Sequence, residues 1–344
     1  MATSFSSLPI VDVSALKQPE PSDGDIGALS AQLYDVFATT GFAYIVNAPL
    51  SFDHAEIFRL AKEFFALDSG TKMKLAKKSF QPGHANTYRG YFPTQPHLAL
   101  DNLKEGFEIG SRTTSYESLP SPSQDKINLS EPNVWPNKEL FAAQARLEQL
   151  YEELQTFASQ LLSLLAVSLG KAPDFFCSWL VDPLSTLRLL HYPPVPQDPK
   201  TVLDEGPVKL SCTPHTDSGI LTLLYQDSTG GLEVLNASGD WIPAPSVPGS
   251  IVVNIGDLMA QVSNGRLTAT MHRVRAPRPK PSSSGDAFGR FSIPFFFEPG
   301  EACIVTPVDG DDEVVIYGEH VRKKMSTWVE FQDDSGYDTA STTG

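Results

Sequence analysis

The sequence lacks any run approaching the ~20 consecutive apolar residues that a membrane-crossing helix requires, and no segment of it repeats. Its opening, Met1-Ala2-Thr3-Ser4-Phe5, has neither the basic nor the apolar stretch of a secretory leader, so a soluble, cytoplasmic protein with no membrane partner is expected. Cysteine is scarce. Cys177, Cys212 and Cys303 are odd in number and far apart, which excludes a disulfide framework or a cysteine-rich zinc site and leaves them as reduced packing residues. Positive charge is also in deficit: 26 Lys and Arg stand against 41 Asp and Glu, a net charge of −15. Such a field repels phosphate backbones, so nucleic acid is not an expected partner.

What is present is a globular mixture of 344 residues, 41% hydrophobic and 10% aromatic, with too much large apolar surface for a disordered chain. Between Ser22 and Gly41, the residues Ile26, Leu29, Leu33, Val36 and Phe37 recur at helical spacing, and Phe42-Ala43-Tyr44-Ile45-Val46 reads as a strand. A second helix is expected over 53–67. A longer one is expected over 137–169, with Leu140, Leu147, Leu150, Leu154, Phe157, Leu161 and Leu165 in register. After Pro183 short β-rich runs alternate with turns, over 186–192, 208–213, 220–226, 232–235, 251–255, 267–274 and 288–297. A final helix is expected near 317–331, and 119–124, 193–199, 277–286 and 332–344 read as loops and a frayed tail. Helices first and closely spaced strands afterwards predict an α+β fold: a jelly-roll core, or double-stranded β-helix, buttressed by N- and C-terminal helices.

The strand-rich half holds Pro214-His215-Thr216-Asp217 and then Met271-His272-Arg273, with 54 residues intervening between Asp217 and His272. Positions i and i+2 of a strand share a face, so His215 and Asp217 together with His272 form a two-histidine, one-carboxylate set. That set leaves open positions suited to non-haem Fe(II). Seven histidines and 41 acids in 344 residues make roughly one His-x-acid pair expected by chance, and His54-Ala55-Glu56 is such a pair, on a predicted helix and read as solvated surface. What distinguishes His215 is the later Arg290-Phe291-Ser292, where a guanidinium and a hydroxyl share one strand face and suit a carboxylate. A dicarboxylate anchored there and chelating iron at its other end describes 2-oxoglutarate, with Tyr192 a further donor.

These residues resemble the isopenicillin N synthase-like branch of the 2-oxoglutarate- and iron(II)-dependent dioxygenases, in its fungal biosynthetic form. Leu8-Pro9-Ile10-Val11-Asp12, Gly41-Phe42-Ala43-Tyr44-Ile45-Val46-Asn47 and Phe64-Phe65-Ala66-Leu67 are similar to the family's opening segments. Arg89-Gly90-Tyr91, Lys104-Glu105-Gly106-Phe107-Glu108 and Val134-Trp135-Pro136 are similar to its middle. His191-Tyr192-Pro193, Gly230-Gly231-Leu232-Glu233-Val234, Asn254-Ile255-Gly256-Asp257, Ser263-Asn264-Gly265 and Phe296-Phe297-Glu298-Pro299 follow the order of its catalytic half. Two departures stand out. Arg290 lies 18 positions after His272, a longer interval than the family pattern, with the surplus in 277–286, and Leu190 stands where plant members often have Asn.

The resemblance implies His215, Asp217 and His272 as catalytic iron ligands and Arg290, Ser292 and Tyr192 as the cosubstrate site. It also implies Tyr88, Arg89, Phe107, Leu232, Phe296 and Glu298 near the substrate. The cofactors implied are Fe(II), 2-oxoglutarate and O2, with ascorbate as a stimulant, and the expected reaction is oxidation of a small secondary-metabolite molecule with release of succinate and CO2. The alternatives are an iron oxidase of the isopenicillin N synthase type that does without 2-oxoglutarate, and a non-catalytic metal-binding jelly roll. The implied division is an N-terminal region over 1–125, a bracing helix and connection over 126–182, the catalytic jelly roll over 183–300, a C-terminal segment and helix over 301–331, and a disordered tail over 332–344.

Overall fold

The computed structural model describes residues 3–95, 103–112, 127–194, 210–276, 289–310 and 315–325. The expected loops 119–124 and 277–286, the Pro-rich segment from 195 onwards and the tail 332–344 lie outside the described residues. The N-terminal part holds β1 (Ile10–Asp12), α1 (Asp23–Thr39), β2 (Phe42–Val46), α2 (His54–Phe65), α3 (Ser69–Met73), β3 (Gly90–Phe92), β4 (Glu105–Ile109) and the long α4 (Gln144–Ser168). The strand-rich part follows with β5 (Thr186–Tyr192), β6 (Leu210–His215), β7 (Leu221–Gln226), β8 (Leu232–Leu235), β9 (Trp241–Pro243) and β10 (Ser250–Ile255). Then come α5 (Asp257–Val262), β11 (His272–Arg275), β12 (Arg290–Phe297), β13 (Ile304–Val305), β14 (Val315–Ile316) and α6 (Tyr317–Met325). Eight strands form one sheet in the order β1-β2-β10-β7-β12-β5-β4-β3, facing a second sheet β6-β11-β8-β9. This is the α+β jelly roll that the sequence predicts.

Helix signals in the sequence have local causes. Ser22 caps α1 by accepting from the Asp25 amide, and Asp53 caps α2 by accepting from that of Glu56. Gly41 turns the chain out of α1 with φ +68°, and a Cβ there would lie 2.2 Å from the Thr268 carbonyl oxygen, so only glycine fits between α1 and β2. The long helix starts later than its apolar pattern. Residues 138–140 and 142–143 form turns, and Leu140 is 60% exposed, because the carboxamide oxygen of Asn137 accepts from the Glu139 amide and turns the chain before the helix begins. Likewise 267–271 is not strand; Thr268 and Thr270 instead bind α1 and its C-terminal turn through the Ala38 and Thr40 carbonyls. His54 is not a solvated surface residue: its ring packs edge-on against Tyr225 at 5.2 Å, while Glu56 pairs with Arg146.

The core sits on the helix side of the large sheet. Leu147, Leu150, Leu154, Phe157, Leu161 and Leu165 of α4 are all buried there, against Leu33 and Phe37 of α1. Strand β12 shows how the sheet divides the molecule. Phe291, Ile293, Phe295 and Phe297 enter this core, while Arg290, Ser292, Pro294 and Phe296 face a cavity between the two sheets. Polar residues of alternate parity are therefore buried too, and what faces them is a pocket rather than solvent.

Candidate active site

The cavity is closed by strand pairing. His272 opens β11 directly opposite His215 at the end of β6, with ring centroids 4.2 Å apart. Asp217 is not on that strand, as the i, i+2 reading requires; it lies in the turn that follows, and its carbonyl accepts from the Asp257 amide at 2.7 Å. The turn is fixed by a close approach. A Cβ on Gly256 would stand 2.1 Å from the Gly219 carbonyl oxygen, so Gly256→Ala has to push the 217–220 turn away. Overpacking of this kind costs about 1–3 kcal/mol. The expected result is a lower denaturation midpoint together with weaker metal binding, read by denaturant titration and by metal titration of the same preparation.

Each of the three side chains is oriented. His215 Nδ1 lies 2.8 Å from the Thr213 carbonyl and His272 Nδ1 3.3 Å from that of Thr270, so in the neutral ring each Nδ1 carries the proton and Nε2 keeps its lone pair. Asp217 Oδ2 accepts from Thr222 Oγ1 at 2.6 Å and Asn254 Nδ2 at 2.9 Å. Its Oδ1 remains 3.8 Å from both imidazole Nε2 atoms, and the three candidate ligand atoms all lie within 4.8 Å of one another. Burial raises the Asp217 pKa, but the facing histidines, Thr222 and Asn254 outweigh it and hold the carboxyl below its ordinary value. Burial pushes His272 down to about 4, so its ring is neutral at physiological pH.

His215 behaves oppositely. Burial disfavours its charge, yet Cys212 and Asp217 pull it up to about 9, so below that pH a proton competes with a metal for the ring. Metal affinity is therefore expected to rise about tenfold per pH unit from neutrality towards pH 9 and to level off above it. Titrations with Mn(II) across that range, with proton release followed by calorimetry in two buffers, check this. A flat profile contradicts it.

The anion-binding set faces the same cavity. Arg290 is 1% exposed; its Nε donates to the Gly230 carbonyl at 2.8 Å and its guanidinium stacks 4.7 Å from the Tyr192 ring centroid. Arg290 and Tyr192 are directly paired across β12 and β5, and Ser292 follows on the same face. Arg290 Nη1 is buried with no hydrogen-bond partner among the described residues.

Of the residues that resemblance places near the substrate, Leu232 and Phe296 line this cavity. Tyr88, Arg89, Phe107 and Glu298 are not among its lining residues. Phe107 stacks on Phe64 at 4.2 Å in the helix-side core. Arg89 donates to Thr186 Oγ1 and the Leu184 carbonyl, and burial raises neighbouring Glu298 to about 7. The cavity also holds Lys104, Arg188 and Cys212, which sequence reading did not assign to the site; Cys212, expected as a packing residue, is a wall residue, while Cys177 is exposed. The available signal was parity: Arg188 lies four before Tyr192 on one strand.

Comparison with known proteins gives this geometry a family. Residues 183–299 match the 2OG-Fe(II) oxygenase superfamily, and residues 8–138 match the non-haem dioxygenase in morphine synthesis N-terminal region. A 2-oxoglutarate-dependent dioxygenase of Didymella fabae is 32% identical, covering 95% of this chain and 98% of its own. This chain belongs to the 2OG-Fe(II) oxygenase superfamily. A 2-oxoglutarate-Fe(II) type oxidoreductase, ppzD of Metarhizium rileyi, is 31% identical over 92% of this chain and 87% of its own. Among solved structures, a full-length Neurospora crassa protein in complex with alpha-KG and 5-formyluracil superposes with a TM-score of 0.76 at 27% identity, covering 95% of this chain and 98% of that one. A 2OG-Fe(II) oxygenase family protein from Caulobacter crescentus gives 0.73 at 29% identity, covering 94% and 99%.

The protein is a 2-oxoglutarate-dependent non-haem Fe(II) dioxygenase. Its residues fit both groups. Two imidazoles, that of His215 once it has given up its proton, and one carboxylate with converging atoms are the donor set of a ferrous facial triad, and a buried guanidinium nitrogen without a partner among the described residues calls for an anion.

Proposed function

We propose that His215, Asp217 and His272 hold the iron, that Arg290, Ser292 and Tyr192 hold the distal carboxylate of 2-oxoglutarate, and that the substrate is a small secondary-metabolite molecule seated against Leu232 and Phe296. The single observation that carries this reading is the buried Nη1 of Arg290, unpartnered among the described residues, in the same cavity as the triad. The distal carboxylate of 2-oxoglutarate supplies the anion that this nitrogen calls for, and the assay below separates this from an oxidase that holds a carboxylate of its own substrate there. When bound, iron and cosubstrate supply dioxygen activation and hydrogen-atom abstraction, with succinate and CO2 as co-products.

The chain's own residues do the rest. The Thr213 and Thr270 carbonyls keep both imidazoles in the ligating tautomer, and Thr222 with Asn254 holds Asp217 so that one oxygen stays free. Phe42 sits edge-on to His272 at 5.3 Å and, with Leu190, Leu224 and Val274, makes the wall apolar enough to exclude water. The acidic charge and this mostly apolar lining favour a cytoplasmic enzyme of small molecules, with neither nucleic acid nor membrane as partner and with ascorbate as a reductant that keeps the iron ferrous. Formation of succinate from 2-oxoglutarate by the Fe(II)-loaded protein tests the reading. Product formation from a candidate substrate with no 2-oxoglutarate consumed overturns it in favour of the oxidase.

A further inference from the structure

Strand β6 breaks the alternation that orients its side chains. His215 pairs with His272 and Cys212 with Val274, so β6 takes three residues where β11 takes two. One extra residue on one strand is a β-bulge. It falls at Thr213-Pro214, both exposed, where Pro214 has no amide hydrogen to give to a ladder. In an unbroken strand, positions i and i+3 face opposite ways. The bulge reverses that parity, and Cys212 and His215 consequently line the same cavity, as their partners Val274 and His272 do. The Cys212 sulfur lies 3.7 Å from His215 Nδ1, beside the Thr213 carbonyl at 2.8 Å.

His215 needs such contacts more than the other two members of the triad. Its side chain is 39% exposed, against 10% for His272 and 7% for Asp217. Its strand is also the edge strand of the smaller sheet, paired there with β11. The Thr213 carbonyl belongs to the same bulge, so it fixes the ring relative to β6 but not β6 relative to the rest of the cavity. Lys104 supplies the longer tie. It immediately precedes β4 of the large sheet, and its Nζ donates to Cys212 Sγ at 3.6 Å. Lys104 Nζ, Cys212 Sγ and His215 Nδ1 thus run in line from one sheet to a triad residue on the other. A sulfur atom is large, polarizable and a weak acceptor, which suits it to two N–H donors at these distances.

We propose, on the basis of the metal site described above, that Cys212 is a positioning residue for that site: its sulfur, anchored by Lys104, takes a share of the His215 Nδ1 hydrogen and holds the imidazole with Nε2 towards Asp217 and His272. Cys212 is not itself a ligand, since the converging ligand atoms are those of His215, Asp217 and His272. A group hydrogen-bonded to a ligating imidazole fixes its orientation and strengthens it as a donor, and loss of such a group weakens metal binding by about 10–100-fold. The contact to sulfur is long, which places the expected effect at the lower end of that range.

Cys212→Val and Cys212→Ser separate polarity from packing, because valine keeps the volume without an acceptor and serine keeps an acceptor with less volume. Each full-length variant is saturated anaerobically with Co(II), so that a proton no longer competes for the ring. Its visible ligand-field spectrum and the rate of Co(II) release to excess chelator are then measured. Cys212→Val is expected to alter the spectrum and to release Co(II) about tenfold faster than the wild type. Cys212→Ser should lie closer to the wild type in both. Lys104→Met should move the spectrum in the same direction as Cys212→Val and add nothing in the double variant, the non-additivity of groups that act through one sulfur. A packing role reverses the order: Cys212→Val then matches the wild type in both metal measurements, while Cys212→Ser has the lower denaturation midpoint. That result overturns the proposal, as does a Cys212→Ser protein that departs from the wild type as far as Cys212→Val, or a wild-type spectrum in Lys104→Met. The site reading fails separately. A Co(II) spectrum that His215→Ala leaves unchanged removes His215 from the metal, whereas one that depends on His215 but not on Cys212 overturns only this inference.

Discussion

His215→Ala and Asp217→Ala are each expected to lower 2-oxoglutarate turnover by about 10³-fold or more, measured as succinate formed per mole of enzyme, with little change in far-UV dichroism. The magnitude follows from losing a metal contribution of several kcal/mol to the transition state. The folding expectation follows from where these residues sit. His215 ends its strand at the rim of the cavity, and its side chain is 39% exposed, so its loss leaves no void in the apolar core. Asp217 is more deeply set, and its removal strands the donors of Thr222 and Asn254. Asp217→Ala is therefore expected to destabilise the protein by about 1–3 kcal/mol as well, where His215→Ala does not. Undiminished succinate formation by either variant removes that residue from the metal site.

Arg290→Met is expected to act on cosubstrate rather than on chemistry. Removing one partner of a buried charge pair costs about 2–5 kcal/mol, so 2-oxoglutarate affinity should fall by roughly 30-fold or more. Turnover at saturating 2-oxoglutarate should fall far less, because Arg290 lies away from the reacting atoms. Arg290→Lys should not restore affinity: an ammonium cannot stack on Tyr192, reach the Gly230 carbonyl and still offer a two-pronged face to a carboxylate. Steady-state kinetics with 2-oxoglutarate as the varied substrate separates the two effects. An unchanged KM for 2-oxoglutarate places the anchor elsewhere in the cavity.

Particular elements show how far the chain could be read unaided. The strands 186–192 and 232–235, read as β-rich runs between turns, have those same limits in the structure, and the expected helix bounds at Ser22 and at 53 fall on the caps of α1 and α2. Leu140 continues the apolar spacing of α4 yet is exposed, since periodicity reports a face and not whether the backbone has begun to coil. Phe107 illustrates a second limit. Its motif lies beside the cavity, but on β4 the cavity face belongs to Gly106 and Glu108, so the ring of Phe107 is directed into the helix-side core. His54-Ala55-Glu56 illustrates a third, because a helix residue facing a sheet finds partners there that no local pattern names.

Read alone, the chain specifies the set of residue types, their parity along strands and their order: two histidines, an acid, then an arginine two before a serine. Those are local properties, written into side-chain alternation and turn chemistry. The folded arrangement decided which faces meet. It set His272 across from His215, brought Thr222 and Asn254 onto Asp217 from two other strands, and placed Arg188 and Lys104 in the wall. These contacts join residues distant in the chain through strand register and sheet packing, and a one-residue slip in any of those pairings would turn the same side chains away from the cavity.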